Sequence, residues 1–423
     1  MGGSAFSSGP APLHTPRMPP DIYESVKAHC HAKLRELFIC VASPIDGPGK
    51  KDFGDVDIIV AWPKQQYEDT IAALEAVKTA LEAHRAILEK TQTSSNFAVR
   101  WPDDGLSIGP SERFIQVDVR ICDTLERLQW MLFKHAHGDI WNLVGSTIRP
   151  YGLTIDDGAF YIRIPEIEYV NRKRARIFLT AEPAEVLDFL GLPIGDFWDV
   201  PFPSLWNMFQ YAAQCRLFWV QPNAVQDAVQ SGFESAVVDG IKSDRAALKS
   251  NDRRRMDQRP GFRAWIEDFV ADCRQKGLYS QRPTTREDVT QETLCRFQVR
   301  DEYNSRHDDF LRERQKERIV KFIKTSAAPA TPEDPKSITY RSSQIKAMKR
   351  VLFEGDQRYG ILAPSSITDN NGFYDEDRVN TFLQEQAKSI GDAALALHHQ
   401  GYQRFKQAEA EKREAEVSSV FQG

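Results

Sequence analysis

The stretch Gly54-Asp-Val-Asp-Ile-Ile-Val-Ala61 carries the strongest strand signal in the chain. Because side chains alternate between the two faces of a strand, Asp55 and Asp57 point one way, whereas the apolar residues at even positions point the other. Two carboxylates on one face of an otherwise apolar strand are costly to bury unpaired, and a divalent cation is the natural compensation. The stretch therefore predicts a strand with a metal-binding face.

A second predicted strand, Arg113–Cys122, repeats this pattern, with Asp118 on its polar face and an apolar face opposite. If the two strands are sheet neighbours, the three carboxylates of Asp55, Asp57 and Asp118 converge. That geometry holds two Mg²⁺ (or Mn²⁺) ions roughly 3.5–4 Å apart across an in-line phosphoryl displacement. These aspartates are the predicted catalytic and metal-binding residues: Asp55 and Asp57 for both ions, and Asp118 for the ion that activates the acceptor.

The loop Ser43–Gly54, directly before the first strand, contains a hydroxyl group, glycines and two lysines. Its backbone N–H groups and either Lys50 or Lys51 can surround a triphosphate. The predicted nucleotide-binding residues are therefore Ser43, Lys50, Lys51 and Gly54, with Asn142 added for a hydrogen bond to the base or sugar. The alternative for Asn142 is an amide on a helix surface.

Hydrophobic periodicity predicts an α/β part followed by a helical part. The predicted elements of the first part are a helix Asp21–Cys40 running into a strand Leu37–Val41, a helix Tyr67–Glu89, a strand Phe97–Trp101, a helix Thr124–His135 capped by Asp123 with Glu126, and a hairpin Gly152–Ile164. The predicted helices of the second part are Pro183–Leu190, Pro203–Val220, Pro260–Lys276, Thr284–Lys324 and Ser342–Val417.

Composition and cysteine usage exclude several classes of protein. The chain has 423 residues, of which 41% are apolar and 27% charged, as in ordinary globular proteins. Its apolar runs are shorter than the ~18–20 residues of a membrane span, so no membrane partner is expected. The six cysteines include no C-x-x-C pair, which argues against a disulfide framework or a structural zinc site. A reducing compartment, cytoplasmic or nuclear, is predicted.

Positive charge is concentrated between residues 241 and 350, where 26 Lys and Arg stand against 17 Asp and Glu, although the whole chain carries −5. This basic region suits a phosphate-rich partner such as a nucleic-acid acceptor. On charge alone, a solvated helical surface explains it as well. Within it, Arg253–Arg255 with Arg259 and Arg263 is the strongest candidate for an acceptor-phosphate patch, with a solvated helix end as the equal alternative.

The motifs come in an order that resembles the polymerase-beta nucleotidyltransferase superfamily. Ala42-Ser43 stands at the place of that family's Gly-Ser turn, Gly54-Asp-Val-Asp57 is similar to its G-D-x-D strand, and Gln116-Val-Asp-Val-Arg120 to the strand of its third Asp. More specifically, the chain resembles the catalytic palm and thumb of family X DNA polymerases. Similarity to them continues in Asp139-Ile-Trp-Asn142, Gly152–Gly158 and Thr180–Leu192. The resemblance covers roughly Leu37 to Pro193.

The resemblance implies an α+β fold: a polymerase-beta-like mixed sheet with flanking helices, followed by a mostly helical C-terminal region. The predicted organisation is a disordered, Gly/Ser/Pro-rich tail (1–20), a palm-like nucleotidyltransferase domain (21–165), a helical, thumb-like and basic region (166–325), a linker (326–341) and a C-terminal helical region (342–423). Departures from the family pattern are Ala42 in place of the turn glycine, Gln116 in place of arginine, and Lys134-His-Ala-His-Gly138, which removes the aromatic gate against ribonucleotides.

The predicted function is Mg²⁺-dependent transfer of a nucleoside monophosphate from an NTP or dNTP to a hydroxyl acceptor, for which a nucleic-acid 3′ end is one candidate. One alternative is a catalytically inactive nucleotidyltransferase fold that binds nucleic acid or protein as a scaffold. Another is a regulatory transferase that modifies a protein or a small molecule. His135 and His137 are predicted to be polar lining of the site or nucleotide contacts and not a zinc pair. They lack a convincing third ligand, and a spacing of two does not place them on one helix face.

Overall fold

The computed structural model describes residues 3–89, 94–102, 112–222 and 250–420. It divides the chain into two units, Met1–Tyr303 and Asn304–Gly423, and among the described residues the strands lie in the first and the second is helical. The molecule is thus of mixed α+β class with a helical C-terminal region. Residues 241–249, the start of the predicted basic region, lie outside the described part.

The main sheet has the strand order β1-β2-β5-β4-β3 in the described residues. Its strands are β1 Phe38–Ala42, β2 Asp55–Pro63, β3 Arg85–Ile87, β4 Ser95–Arg100 and β5 Phe114–Cys122. Strands β2 and β5 pair in parallel with Asp57 opposite Asp118, and the other pairs are antiparallel. The expected proximity of the two aspartate-bearing strands is therefore confirmed.

The apolar face of this sheet builds the core of the first unit. Val56 and Val60 of β2 and Val117 of β5 are fully buried. They pack with helix α1, Pro20–Leu37, and helix α2, Thr70–Ala80, which contribute buried residues such as Leu34 and Val77. Burying an aliphatic side chain of this size stabilises a fold by roughly 1.5–3 kcal/mol. The register is fixed by this cost, because a slip of one residue would turn the valines outward and the aspartates inward.

The predicted helix Tyr67–Glu89 is wrong in its second half. Helix α2 ends at Ala80, and Glu82 adopts a left-handed backbone with φ 49°. The chain then forms β3, which pairs with β4 at the edge of the sheet. The Ala- and Leu-rich sequence favours a helix locally, but pairing with an existing strand edge prevails over propensity.

The predicted hairpin Gly152–Ile164 is confirmed and gains a third strand. Strands β6 Leu153–Ile155, β7 Phe160–Arg163 and β8 Arg176–Thr180 form a second antiparallel sheet. The turn is held by Asp156, whose carboxylate accepts the N–H groups of Gly158 and Ala159 and pairs with Arg176. Strand β8 lies in the region expected to be helical.

The remaining helices of the first unit are α3 Leu125–His135, α4 Ile140–Ile148, α5 Pro165–Glu168, α6 Pro183–Leu190, α7 Ile194–Trp198, α8 Leu205–Ala213, α9 Ser250–Gln258, α10 Pro260–Ala264, α11 Val270–Gln275 and α12 Arg286–Arg296. Helix α6 has its predicted bounds and α8 is shorter than predicted, whereas α4, α5, α7 and α9 were not predicted. A π-helical turn, Trp265–Phe269, joins α10 to α11. The cap of α3 is Thr124, which accepts the N–H of Arg127, and not the predicted Asp123.

The second unit is built on helix α13 Arg300–Ser326, which crosses the division between the units, α14 Pro335–Glu354 and α15 Glu376–Val420. The predicted single helix Thr284–Lys324 is two helices, because Gln298 adopts φ 54° between α12 and α13. Buried residues on all three helices, such as Ile319, Met348 and Leu383, form the core of the unit. Among the described helices, none is long and apolar enough to span a membrane.

The N-terminal segment differs from the prediction of a disordered tail. Residues Gly3–Pro19 lie against the first unit, with Phe6 and Met18 buried. Phe6 packs with Ala98 and Phe114, and Met18 exchanges backbone hydrogen bonds with Phe53. Composition predicts disorder when too little apolar surface is available, and here two apolar side chains suffice because the sheet supplies their partners.

Candidate active site

Three carboxylates share one face of the main sheet. Asp55 and Asp57 lie two residues apart on β2. Asp118 lies on β5, directly opposite Asp57. The Oδ1 atom of Asp118 accepts hydrogen bonds from Asn96 Nδ2 at 2.7 Å and Gln116 Nε2 at 2.8 Å. The two strands bury their apolar faces and present the three carboxylates together on the opposite face, as the sequence predicts.

The electrostatics of the cluster show that the carboxylates are close enough to repel one another. The side chain of Asp57 is exposed at the edge of the cavity, where neighbouring protein atoms partly bury its carboxylate. This partial burial, together with the charges of Asp55 and Asp118, raises the pKa of Asp57 to about 7. Burial raises the pKa of Asp118 to about 6, although Asn96 and Gln116 oppose the shift. Burial also raises the pKa of Asp55, against the charge of Lys50.

The donor set fits a hard divalent cation. Oxygen ligands from carboxylates are what Mg²⁺ and Mn²⁺ prefer, and a cation relieves the mutual repulsion of three carboxylates. In the described part of the chain, no group of three His, Cys, Asp or Glu side chains is arranged to hold an ion as it stands. Neighbouring donors occupy part of the cluster instead, since the amides of Asn96 and Gln116 donate to Asp118.

A cavity of about 370 Å³ opens beside Asp57. Its cationic lining residues are Lys50 from the loop after β1, Lys134 from the last turn of α3, and Arg259 from the residue before α10. Asn142, near the start of α4, also lines it. The carboxylates of Asp46, Asp57 and Asp157 line the cavity as well, so its three cations face three acidic side chains.

The loop that carries Lys50 is fixed to the turn between α3 and α4. The N–H of His137 donates to the Ile45 carbonyl at 2.7 Å, and His137 Nε2 lies 2.7 Å from the Phe197 carbonyl. Gly138 has φ 63°, and a Cβ on it would lie 3.5 Å from Gly47 Cα. His137 itself is fully buried with φ 54°, a conformation that costs of order 1–3 kcal/mol and that these contacts must hold. His137 is therefore a structural residue next to the cavity and is not among its described lining residues, whereas His135 is.

The structure separates the predicted nucleotide-binding residues from one another. Lys50 and Asn142 line the cavity. Lys51 is exposed and is not among the described lining residues. Ser43 hydrogen-bonds His31 Nε2 at 2.8 Å and does not line the cavity either. Gly54 directly precedes Asp55, the first residue of β2 and a member of the acidic cluster.

Lys134 and Arg259 are cavity residues that the sequence analysis does not select for nucleotide binding. Lys134 lies at the C-terminal end of α3, where a cation also complements the helix dipole. Burial lowers the pKa of Lys134, in opposition to Asp157 and Asp156. Arg259 Nη1 forms an ion pair with Asp139 Oδ1 at 2.7 Å. The sequence does place Arg259 in the predicted basic patch. That patch, however, is predicted to contact the phosphates of an acceptor and not the nucleotide.

The other members of that patch lie in separate environments. Arg255 pairs with Asp252 at 2.6 Å, and Arg263 Nε donates to the Met256 carbonyl. Arg253 and Arg254 are exposed on α9. Of the five arginines, Arg259 is the one that lines the cavity.

We predict that Asp57→Asn raises the thermal stability of the metal-free protein at pH 8. The folded-state pKa of Asp57, about 7, exceeds its unfolded value, so its protonated form contributes stability below about pH 4 that is lost as the pH rises through about 7. In EDTA, the variant should melt about 2–4 °C above the wild type at pH 8, with a smaller difference at pH 5. If the variant and the wild type melt at the same temperature at both pH values, the charge of Asp57 does not destabilise the folded protein.

No family model matches the chain. No curated protein matches it either.

Proposed function

We propose that the protein is a metal-dependent nucleotidyltransferase that moves a nucleoside monophosphate from an NTP or dNTP to a hydroxyl acceptor. The observation that carries this proposal is the parallel pairing of β2 with β5, which sets Asp57 opposite Asp118 beside a cavity lined by three cations. The mixed sheet and the motif order are compatible with a polymerase-beta-like fold. The resemblance and the geometry thus support the same chemistry from different observations.

In this proposal Asp55, Asp57 and Asp118 hold Mg²⁺ or Mn²⁺. The metal supplies charge neutralisation at the transferred phosphate and lowers the pKa of the attacking hydroxyl. Lys50, Lys134 and Arg259 bind the triphosphate oxygens, and Asn142 orients the base or sugar. Such a site needs little covalent chemistry of its own, because nucleotidyl transfer depends on positioning and on charge neutralisation.

The basic region supplies a second, weaker element of the proposal. Arg253 and Arg254 are exposed on α9, which directly precedes the cavity residue Arg259. Phosphate contacts from arginines at such a place would bind a nucleic-acid acceptor without reading its sequence. A nucleic acid is therefore the acceptor class proposed first.

The test is transfer of label from each NTP and dNTP, in Mg²⁺, to single-stranded DNA, RNA and tRNA. The wild type should label one acceptor class, and Asp55→Asn should not. Glu75→Gln, an exposed carboxylate-to-amide change on α2, is the matched control and should transfer normally. Label on a protein or small molecule alone would correct the acceptor. Metal-independent, salt-sensitive nucleic-acid binding without any transfer would replace the proposal with a scaffold function.

A further inference from the structure

The end of the connection between β7 and β8, together with the start of β8, exposes cations and aromatic rings side by side in the sequence. Residues 169–178, here called the basic–aromatic segment, contain four cationic side chains and no acidic one. Three large apolar side chains of the segment are exposed: Tyr169 at 79%, Val170 at 59% and Phe178 at 51%. Single exposed apolar side chains are common on protein surfaces, whereas several of them beside cations indicate an interaction site.

The cationic part of the segment has a defined backbone conformation. The Asn171 side chain accepts the N–H groups of Lys173 and Arg174, both at 3.0 Å, and the Asn171 carbonyl accepts the N–H of Ala175 at 3.0 Å. The side chains of Arg172 and Lys173 are exposed, and in the described part of the chain neither forms an ion pair. Because this turn is already ordered, less conformational entropy is lost when it binds a partner.

Phe178 belongs to a row of side chains on the outer face of the second sheet. Its ring lies 6.2 Å from the ring of Tyr161, edge to face at 79°, and the Arg176 guanidinium lies 5.5 Å from the centre of the Tyr161 ring. Arg176 in turn forms an ion pair with Asp156. Ile177, between Arg176 and Phe178 on β8, is fully buried. Since side chains alternate along a strand, Arg176 and Phe178 share the face that points away from the core.

This row of side chains leads to the cavity of the candidate active site. Asp156, the partner of Arg176, is followed in the β6–β7 turn by Asp157, which lines the cavity. The Tyr161 hydroxyl lies over the same turn, because a Cβ on Gly158 would stand 2.6 Å from its oxygen. A polymer that lies along this face of the sheet is thereby led to the edge of the cavity.

We propose that the basic–aromatic segment binds single-stranded nucleic acid, with Arg172 and Lys173 contacting phosphates and a base stacking on the exposed ring of Phe178. Phosphate contacts and base stacking are the two interactions by which proteins bind single strands with little dependence on their sequence. Duplexes bind less well because their bases already stack on one another. The inference deepens the proposed function and rests on it only in identifying the bound strand as the acceptor.

Fluorescence anisotropy of labelled oligo-dT and oligo-U, in EDTA and without nucleotide, measures this binding separately from transfer. Phe178→Leu keeps an apolar side chain and removes the flat ring, so it should weaken binding of the single strands about tenfold. Phe178→Tyr keeps the ring and should bind like the wild type. Phe405→Leu, on an exposed phenylalanine of α15, is the matched control and should leave the affinity unchanged. Circular dichroism checks that each variant is folded.

The cations are tested by the salt dependence of the same binding. Each lost phosphate contact on a single strand lowers the slope of the logarithm of the affinity against the logarithm of the salt concentration by about 0.7. Arg172→Ala/Lys173→Ala should therefore lower this slope by about 1.4. Phe178→Leu should leave the slope unchanged, because stacking releases no counterions. Arg404→Ala/Lys406→Ala, which removes the same charge from exposed positions on α15, is the control for net charge.

The outcomes separate this inference from the proposed function. If the protein transfers no label but Phe178→Leu weakens binding of single strands, the inference stands and the proposed function fails. If Phe178→Leu binds single strands as the wild type does, the inference is overturned even where transfer is observed. Equal affinity for a duplex would also overturn it, since the segment would then be a cationic surface without base stacking. Phe178-dependent binding to phosphatidylserine vesicles, without an effect on oligonucleotides, would overturn it in favour of a membrane surface.

Discussion

Replacing Asp57 by asparagine is expected to lower the rate of nucleotidyl transfer by about a thousandfold, equivalent to about 4 kcal/mol of transition-state stabilisation. Asp57 is two residues from Asp55 on β2 and opposite Asp118 on β5, so in the proposed mechanism it would hold the metal together with both of them. Asparagine keeps the shape and removes the charge. Initial rates with labelled nucleotide in Mg²⁺ measure the effect.

The fold of this variant should survive, because losing one of three crowded carboxylates relieves repulsion. Circular dichroism and the melting temperature in EDTA check this point, and Glu75→Gln reports any general effect of a carboxylate-to-amide change. If the folded Asp57→Asn protein retains more than about a tenth of the wild-type rate, the acidic cluster is not part of the mechanism. Loss of a metal ligand would lower the rate much further.

Lys50→Ala is expected to raise the dissociation constant of the nucleotide about 10- to 100-fold, as the loss of a charge-assisted phosphate contact worth about 1.5–3 kcal/mol would. Lys50 Nζ lies 3.2 Å from Asp46 Oδ1 and lines the cavity, so it can exchange a protein carboxylate for a phosphate. Nucleotide binding by isothermal titration calorimetry, in Ca²⁺ to prevent turnover, measures the change.

The adjacent lysine makes an unusually close control. Lys51 has the same charge and loop position but is exposed and outside the described lining of the cavity. Lys51→Ala should leave the dissociation constant within about twofold of the wild type. Equal losses in both variants would mean that the loop acts through its net charge, and a loss in Lys51→Ala alone would reverse the assignment.

The acidic cluster was predictable because its signal is local. Strand alternation places Asp55 and Asp57 on one face, and the same rule applies to Asp118, so only the pairing of β2 with β5 had to be assumed. The cavity was predictable in part. Lys50 lies in the loop before β2, whereas Arg259 lines the cavity from a distant part of the sequence. Nothing in the local sequence around Arg259 distinguishes it from Arg253 or Arg254.

Two of the wrong predictions of local structure share one physical cause. The composition and periodicity of each segment alone predict a helix at 85–87 and disorder at 3–18. In the structure, β3 pairs with β4, and Phe6 is covered by Ala98 and Phe114. Both segments gain their order from a surface made elsewhere, which composition and periodicity do not encode.

The parallel pairing of β2 with β5 also constrains how this protein matures. Parallel neighbours cannot be joined by a tight turn, and here α2, β3 and β4 lie between them in the chain. Asp57 meets Asp118 only after that long crossover has closed, a step that is slow because loop entropy must be lost before the contact forms. During synthesis, Asp55 and Asp57 leave the ribosome well before Asp118. An unfinished chain therefore carries two of the three carboxylates and cannot yet assemble the complete cluster.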